Sequence, residues 1–401
     1  MFYFKSFILF YILSISTIGL SENKFPIVLV HGFLGWGELE MGKYKYWGGK
    51  NDIASKLREE GFIVYVTSVG PISSNWDRAV ELYYQIKGGQ VDYGYRHSKK
   101  FGLIQKPNNK SYKGLYTKWD SNNPIHLIGH SMGGQTIRML QYLLENEFLK
   151  DSLNNILEHS DLLKNKNKNY IKSITSFATP HNGTTLVNLV PKMLPLIKYF
   201  INISKIVGGE YYNFDLNQWG FKRNEGETWF SYSKRMKNHR AWETKNISAY
   251  DLSVDGAAHL NSFLRVSEDI YYFSYSFSST HNDLRMKNHI ADKTTFITLR
   301  PRANLIGSIK NIPQSNVSLD SSWLENDGVV NTISMSHPFT GTNGEDPIVL
   351  YDKNRLLNKG IWNTFKTIKM DHYQSVGHFM KKKSNIDSIY VNHAKILKYL
   401  H

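Results

Sequence analysis

Residues Ile125 to Ile128 form a short apolar run that ends directly in Gly129-His130-Ser131-Met132-Gly133, and Ile137, Leu140 and Leu144 then recur at helical spacing. Strand, sharp turn and helix therefore follow one another without a spacer. This juncture constrains the fold more than any other part of the chain. The rest of the chain repeats the pattern. Ile27 to Val30, Phe62 to Val66, Ile171 to Ala178 and Ile270 to Tyr275 read as further buried strands. Asn51 and Asp52 precede a helix that carries Ile53 and Leu57 and closes at Gly61. Ile386, Ile389, Ile396, Leu397 and Leu400 mark a closing helix from Ser384. Strands alternating with helices predict an α/β fold, a mainly parallel central sheet with helices on both faces.

Three segments stand apart from this alternation. Lys5 and the apolar run Phe7 to Leu20, followed by Ser21, predict a signal peptide over residues 1–21. The mature part, 22–401, reads as a single domain, and the expected localisation is secreted and extracellular. Asn154 to Asn169, rich in Asn and Lys, reads as a solvated surface excursion. Leu186 to Ile206 is apolar, but Pro191, Pro195, Lys192 and Lys198 interrupt it. That pattern argues against a membrane span and for a mobile apolar cover.

The composition excludes several classes. Hydrophobic residues make up 41% and charged residues 21%, which rules out global disorder and coiled coil. The chain has no cysteine, so disulfides, thiolate nucleophiles and cysteine-type zinc sites are excluded. The net charge of +15 is spread along the chain. No RNP, helix-turn-helix or zinc-finger pattern accompanies it, so nucleic acid is not expected; peripheral contact with anionic lipid surfaces is.

The chemistry starts at Ser131. A serine on a strand-to-helix turn is held in a strained backbone that projects its hydroxyl, and the flanking glycines avoid collisions there. The following helix offers free N–H groups to a developing oxyanion. A base and an orienting carboxylate should follow in the order Ser, Asp, His. Asp320 and Asp327 are the aspartate candidates, and Asp327 sits in a turn that feeds Val329-Val330, as a loop at a strand end should. The histidine candidates are His337, His372, His378 and His393. His372 follows the strand-like run Trp362 to Ile368, and His378 is the runner-up. The Phe33 and Met132 backbone N–H groups fit an oxyanion hole. His31 reads as a buried structural histidine.

With these residues in view, the chain resembles the thermoalkalophilic Geobacillus-type and staphylococcal lipases. The matches run from about Phe25 to about Gly377. They include Pro26 to Phe33, Gly35-Trp36-Gly37, Lys45 to Gly49, Ser73 to Arg78, Val91 to Gly94, Gly129 to Gln135, Ala178 to Thr184, Leu216 to Gly220, Trp323 to Val330 and Asp371-His372. The resemblance implies an α/β-hydrolase fold, a helical lid insertion at about 185–235, and the triad Ser131, Asp327 and His372. It also implies a secreted triacylglycerol lipase that meets a lipid ester at a lipid–water interface, with no obligatory protein partner.

The chain departs from that family at two metal sites. The zinc positions read Asp77, His97, Leu103 and Asn246, and zinc needs four strong donors where Leu103 has none. Asp77 and His97 are expected to hold each other instead. The calcium positions read Gln374, Phe379 and Met380, too poor in oxygen for that ion. No metal and no other cofactor is expected. Two alternatives stay open: a phospholipase or acyltransferase using the same triad, and a non-catalytic lipid-binding protein on the same fold.

Overall fold

A computed structural model describes residues 22–148, 158–189, 217–219, 224–228, 230–231, 234, 244–380 and 385–401. Seven strands form the central sheet: β1 (Ile27–Val30), β2 (Val64–Val66), β3 (Ile125–His130), β4 (Ile171–Phe177), β5 (Tyr271–Tyr275), β6 (Ile348–Leu350) and β7 (Trp362–Thr364). Their order across the sheet is β6-β7-β5-β4-β3-β1-β2, and every neighbouring pair is parallel. The flanking helices include α1 (Ile53–Glu59), α2 (Asn75–Lys87), α3 (Tyr95–Phe101), α4 (Met132–Glu145), α5 (Val254–Asn261) and α6 (Asn385–Leu397).

Alternation along β1 divides the interior into two cores. Val28 and Val30 point to one face, where α2 and α4 contribute Ala79, Val80, Ile137 and Leu140. Ile27 and Leu29 point to the other, where α1 and α6 contribute Ile53, Leu57, Ile386 and Tyr390. A sheet covered on both faces needs apolar residues at every position of its central strands, which is why Ile27-Val28-Leu29-Val30 reads as an unbroken run. The fold is thus the expected α/β arrangement, and all seven strands prove parallel. The Asp52 side chain caps α1 by accepting from Ser55 N at 2.9 Å, and Gly61 follows the helix with φ +88°.

Two expectations are corrected. Val329-Val330 do not start a strand; the chain goes on into a 3-10 turn at Thr332–Met335. Asp327 Oδ1 accepts from Val329 N (2.9 Å) and Val330 N (2.8 Å), and amides held in that turn cannot join a ladder. The stretch read as a solvated excursion is only partly so. Leu162 and Leu163 are buried in the core, whereas the polar tail from Lys164 to Asn169 stays outward. Edge strand β6 escaped detection because three half-exposed residues carry no usable pattern. Thr185–Leu189 is a short helix, but most of the expected lid at about 185–235, and the expected signal peptide, lie outside the described residues. Among the described residues, no helix is long and apolar enough to cross a membrane.

Candidate active site

Ser131 lies between β3 and α4 with φ +55° and ψ −128°, a conformation that side-chain-bearing residues rarely adopt. Neighbouring glycines make the turn possible. A Cβ at Gly129 would lie 2.4 Å from the Gly133 carbonyl carbon, and one at Gly133 would lie 2.2 Å from Val30 O. Helix, strand and turn therefore touch through bare backbone, and the serine hydroxyl is left projecting above the sheet.

Of the candidate residues, His372 is the one that meets Ser131, and Asp327 the one that meets His372. His372 Nε2 lies 3.0 Å from Ser131 Oγ, and His372 Nδ1 lies 2.6 Å from Asp327 Oδ2. A carboxylate can only accept, so the ring proton belongs on Nδ1 and the Nε2 lone pair faces the serine hydroxyl. Asp327 is fully buried, and its Oδ1 is held by the two valine amides. The other candidates are engaged elsewhere. His393 meets Thr175 and Tyr275, His378 meets Tyr46 O, His337 meets Glu345, and Asp320 meets Ser322.

The loop after β1 presses against the nucleophile: a Cβ at Gly32 would sit 2.7 Å from Ser131 Cβ and 2.9 Å from His130 O. Phe33 follows in that loop. Met132 is the first residue of α4, where a backbone N–H has no intrahelical acceptor. The loop is anchored by two side chains whose part was not read from the sequence. Buried Arg78 reaches His31 O, Gly70 O and Thr136 Oγ1. Tyr46 accepts from Gly32 N at 2.8 Å. His31 is fully buried, and burial, with Arg78 nearby, holds its pKa down at about 3.

A directed chain of hydrogen bonds runs on from Tyr46. Its hydroxyl, already accepting from Gly32, donates to His130 Nδ1 at 2.6 Å. His130 Nε2–H then donates to Ser375 Oγ (2.9 Å), which donates to the His372 carbonyl (2.7 Å). Burial holds His130 well below the ordinary histidine range, so the ring is neutral and the direction is unambiguous. The backbone of the His372 loop is thereby tied to the Gly32 loop. No spacing rule joins Tyr46, His130 and Ser375, and only the fold brings them together.

The residues at the two metal positions implied by the resemblance are engaged with one another. At the zinc positions, Asp77 Oδ1 meets His97 Nε2 at 2.8 Å, and Asn246 Nδ2 donates to both Asp77 oxygens (3.3 and 3.1 Å). Gln218 Nε2 donates to Asp77 Oδ2 as well, at 3.2 Å. Amide N–H groups aimed at the carboxylate occupy the space a dication would need, and Leu103 supplies no donor, so the set does not fit zinc. At the calcium positions, the Gln374 amide oxygen accepts from Asp371 N (3.0 Å) and Phe379 stacks on Phe296 at 4.0 Å. That set does not fit calcium. Asp371 accepts instead from the Phe296, Tyr373 and Gln374 amides, which brace the His372 loop directly.

A lipase from Staphylococcus hyicus is 37% identical over 367 residues, covering 89% of this chain and 54% of its own length. The chain spans about half the length of the curated relatives it matches. Among solved structures, EstA from Clostridium botulinum is similar at a TM-score of 0.86 with 38% identity, covering 95% of this chain and 88% of that one. Lipase 1 from Pelosinus fermentans is similar at 0.82 with 37% identity, covering 94% of this chain and 100% of that one. The lipase-like, C-terminal domain family matches residues 23–397, and with nearly the whole described chain inside that match, this protein belongs to that family.

Proposed function

We propose that this chain is a secreted lipase that hydrolyses the carboxylic esters of triacylglycerols through an acyl-enzyme. The observation that carries the reading is the continuous relay from Asp327 through His372 to Ser131 on a strained turn. Ser131 Oγ attacks the ester carbonyl carbon while its proton passes to His372 Nε2. Asp327 orients the ring and stabilises the imidazolium. The Phe33 and Met132 N–H groups receive the oxyanion. Collapse breaks the ester C–O bond, and the leaving alkoxide takes the proton from Nε2. Water then attacks the acyl-serine, giving one proton to His372; the second collapse breaks the bond between Ser131 Oγ and the acyl carbon, Oγ takes the proton back from Nε2, and the fatty acid leaves and ionises in water. The similarity to lipases from Staphylococcus hyicus and Pelosinus fermentans supports an ester of lipid type.

Emulsified triglyceride and phospholipid, each offered to the purified protein and to Ser131→Ala, test the proposal. Triglyceride turnover should fall by about 10⁵-fold or more in the folded variant. Retained turnover in that variant, or turnover of phospholipid alone by the parent, would overturn it.

A further inference from the structure

The loop after β1 closes as a tight turn. Phe33 and Leu34 are its central residues, and Gly35 N donates to Gly32 O at 3.1 Å. Leu34 is buried with φ +56°, in the left-handed region that this position of a turn usually gives to glycine. A residue with a side chain stays there only where its surroundings hold it. The Phe33 N–H lies inside this turn, so its direction depends on whatever does the holding.

The loop after β2 holds it. Pro71 O accepts from Leu34 N at 2.8 Å, and Val69 N donates to His31 Nε2 at 3.1 Å. Arg78 of α2 joins the two loops, donating to Gly70 O at 2.9 Å and to His31 O. The turn that carries Phe33 is therefore only as well placed as Gly70.

Gly70 is gripped at its other polar group by Glu81, three residues after Arg78 on the same helix. Its N–H donates to Glu81 Oε2 at 2.6 Å. Glu81 Oε1 accepts from Lys110 Nζ and from the Tyr93 hydroxyl, each at 2.6 Å. The glutamate side chain is 0% exposed and the lysine 2%. A buried carboxylate needs a cation to stay charged, and that charge shortens and strengthens the bond it accepts from an amide. One helix thus holds both polar groups of a single residue, Arg78 the carbonyl and Glu81 the N–H.

We propose that Glu81, kept ionised by Lys110, is a positioning residue for the oxyanion site. It fixes Gly70, and through Pro71 and Arg78 it fixes the turn that aims the Phe33 N–H. It acts through Gly70 rather than on the ester. This role rests on the reading of the Phe33 N–H as an oxyanion donor. Apolar side chains of similar volume often replace a buried ion pair with no loss of stability, so stability alone is a poor reason for two charges behind this turn. What the pair adds is a fixed direction for one amide.

Two substitutions in the full chain test this. Glu81→Asp keeps the charge but shortens the reach to Gly70 by one methylene, and Glu81→Gln keeps the reach but loses the charge. Two readouts apply: hydrolysis of a soluble short-chain ester, and binding of an alkyl boronic acid, which forms a tetrahedral adduct on Ser131 Oγ with an oxygen in the oxyanion site. In Glu81→Asp, kcat is expected to fall about 30-fold with KM unchanged, and boronic acid affinity by a similar factor. In Glu81→Gln both should fall about fivefold. A merely structural role would lower the Tm of the variants and leave kcat and boronic acid affinity unchanged while they are folded. That result in Glu81→Asp would overturn the proposal, as would the same result in Glu81→Gln if the shorter side chain prevents folding. A loss confined to KM would overturn it too. A parent that hydrolyses no triglyceride yet binds the boronic acid, with that binding weakened in the Glu81 variants, would sink the lipase reading alone. An active parent whose folded Glu81 variants match it would sink this inference alone.

Discussion

Among the described residues lie two buried histidine–aspartate pairs, and by burial they are indistinguishable. In each, the histidine side chain is 7% exposed and the aspartate 0%. The distances are close as well, 2.8 Å for His97–Asp77 and 2.6 Å for His372–Asp327. What differs is the surroundings. His372 carries its second nitrogen to a serine hydroxyl on a strained turn, whereas the His97 ring lies flat on Trp76. Asp327 is held by backbone amides of its own turn, and Asp77 by side-chain amides of Asn246 and Gln218 from distant segments. A histidine–carboxylate pair is therefore no sign of catalysis by itself. In the proposed mechanism the first pair orients a base toward a nucleophile, whereas the second joins α2 to α3.

Substituting the two aspartates should separate these roles most sharply. Asp327→Asn is expected to lower kcat by about 10⁴-fold, because the ring loses its orienting acceptor. Asp77→Asn should leave kcat within about threefold and instead cost about 1–3 kcal/mol of stability, since an amide would then face the Asn246 and Gln218 amides. Ester turnover and thermal unfolding, measured on both variants, decide between them; equal losses of turnover would erase the distinction. A smaller effect is expected at the far end of the relay. Ser375→Ala removes the donor to the His372 carbonyl, and kcat should fall about tenfold with KM unchanged.

Acid should weaken the fold gradually. Burial holds His31 and His126 at about 3 and His378 at about 4. Each is neutral when folded but gains a proton near 6.5 when unfolded, so the unfolded chain binds more protons below that pH. The stability they contribute is complete above about 6.5 and drains away as the pH falls toward 4. Asp251, raised to about 7 by burial, opposes this trend, as do Asp346 and Asp371, which burial also raises, but His130, His181 and His393, held down by burial as well, reinforce the three histidines above. The Tm should therefore fall between pH 6.5 and 4; a Tm constant over that window would contradict the neutral assignment. The smallest effect should come from chelation. EDTA is expected to leave turnover and Tm unchanged, and a loss of either would mean that a metal is held in spite of the amides around Asp77 and the Phe379 stack.

Periodicity made the sheet legible where strands are central. Four apolar residues in a row at Ile27 to Val30, and three of four at Ile125 to Ile128, where only His126 is polar, can be satisfied only between two layers of helix. It failed at β6, which is short and at the edge, and at Leu162-Leu163, where two core residues sit in a polar stretch. The position and order of Ser131, Asp327 and His372 were readable because strand ends and turn residues mark where side chains can project. The loop after Asp327 was misread as feeding a strand, since the side chain's capture of the Val329 and Val330 amides leaves no trace in hydropathy.

By itself the sequence determined the layered α/β plan, the glycine-flanked serine and the absence of a full donor set at either metal position. These are local properties: apolar spacing, backbone freedom and the chemistry of single side chains. Only the tertiary structure decided which histidine faces Ser131, that Gln218 and Asn246 surround Asp77, and that Tyr46, His130 and Ser375 form one relay. Such features join residues tens to hundreds of positions apart, and hydrogen bonds act over about 3 Å of space whatever the distance along the chain.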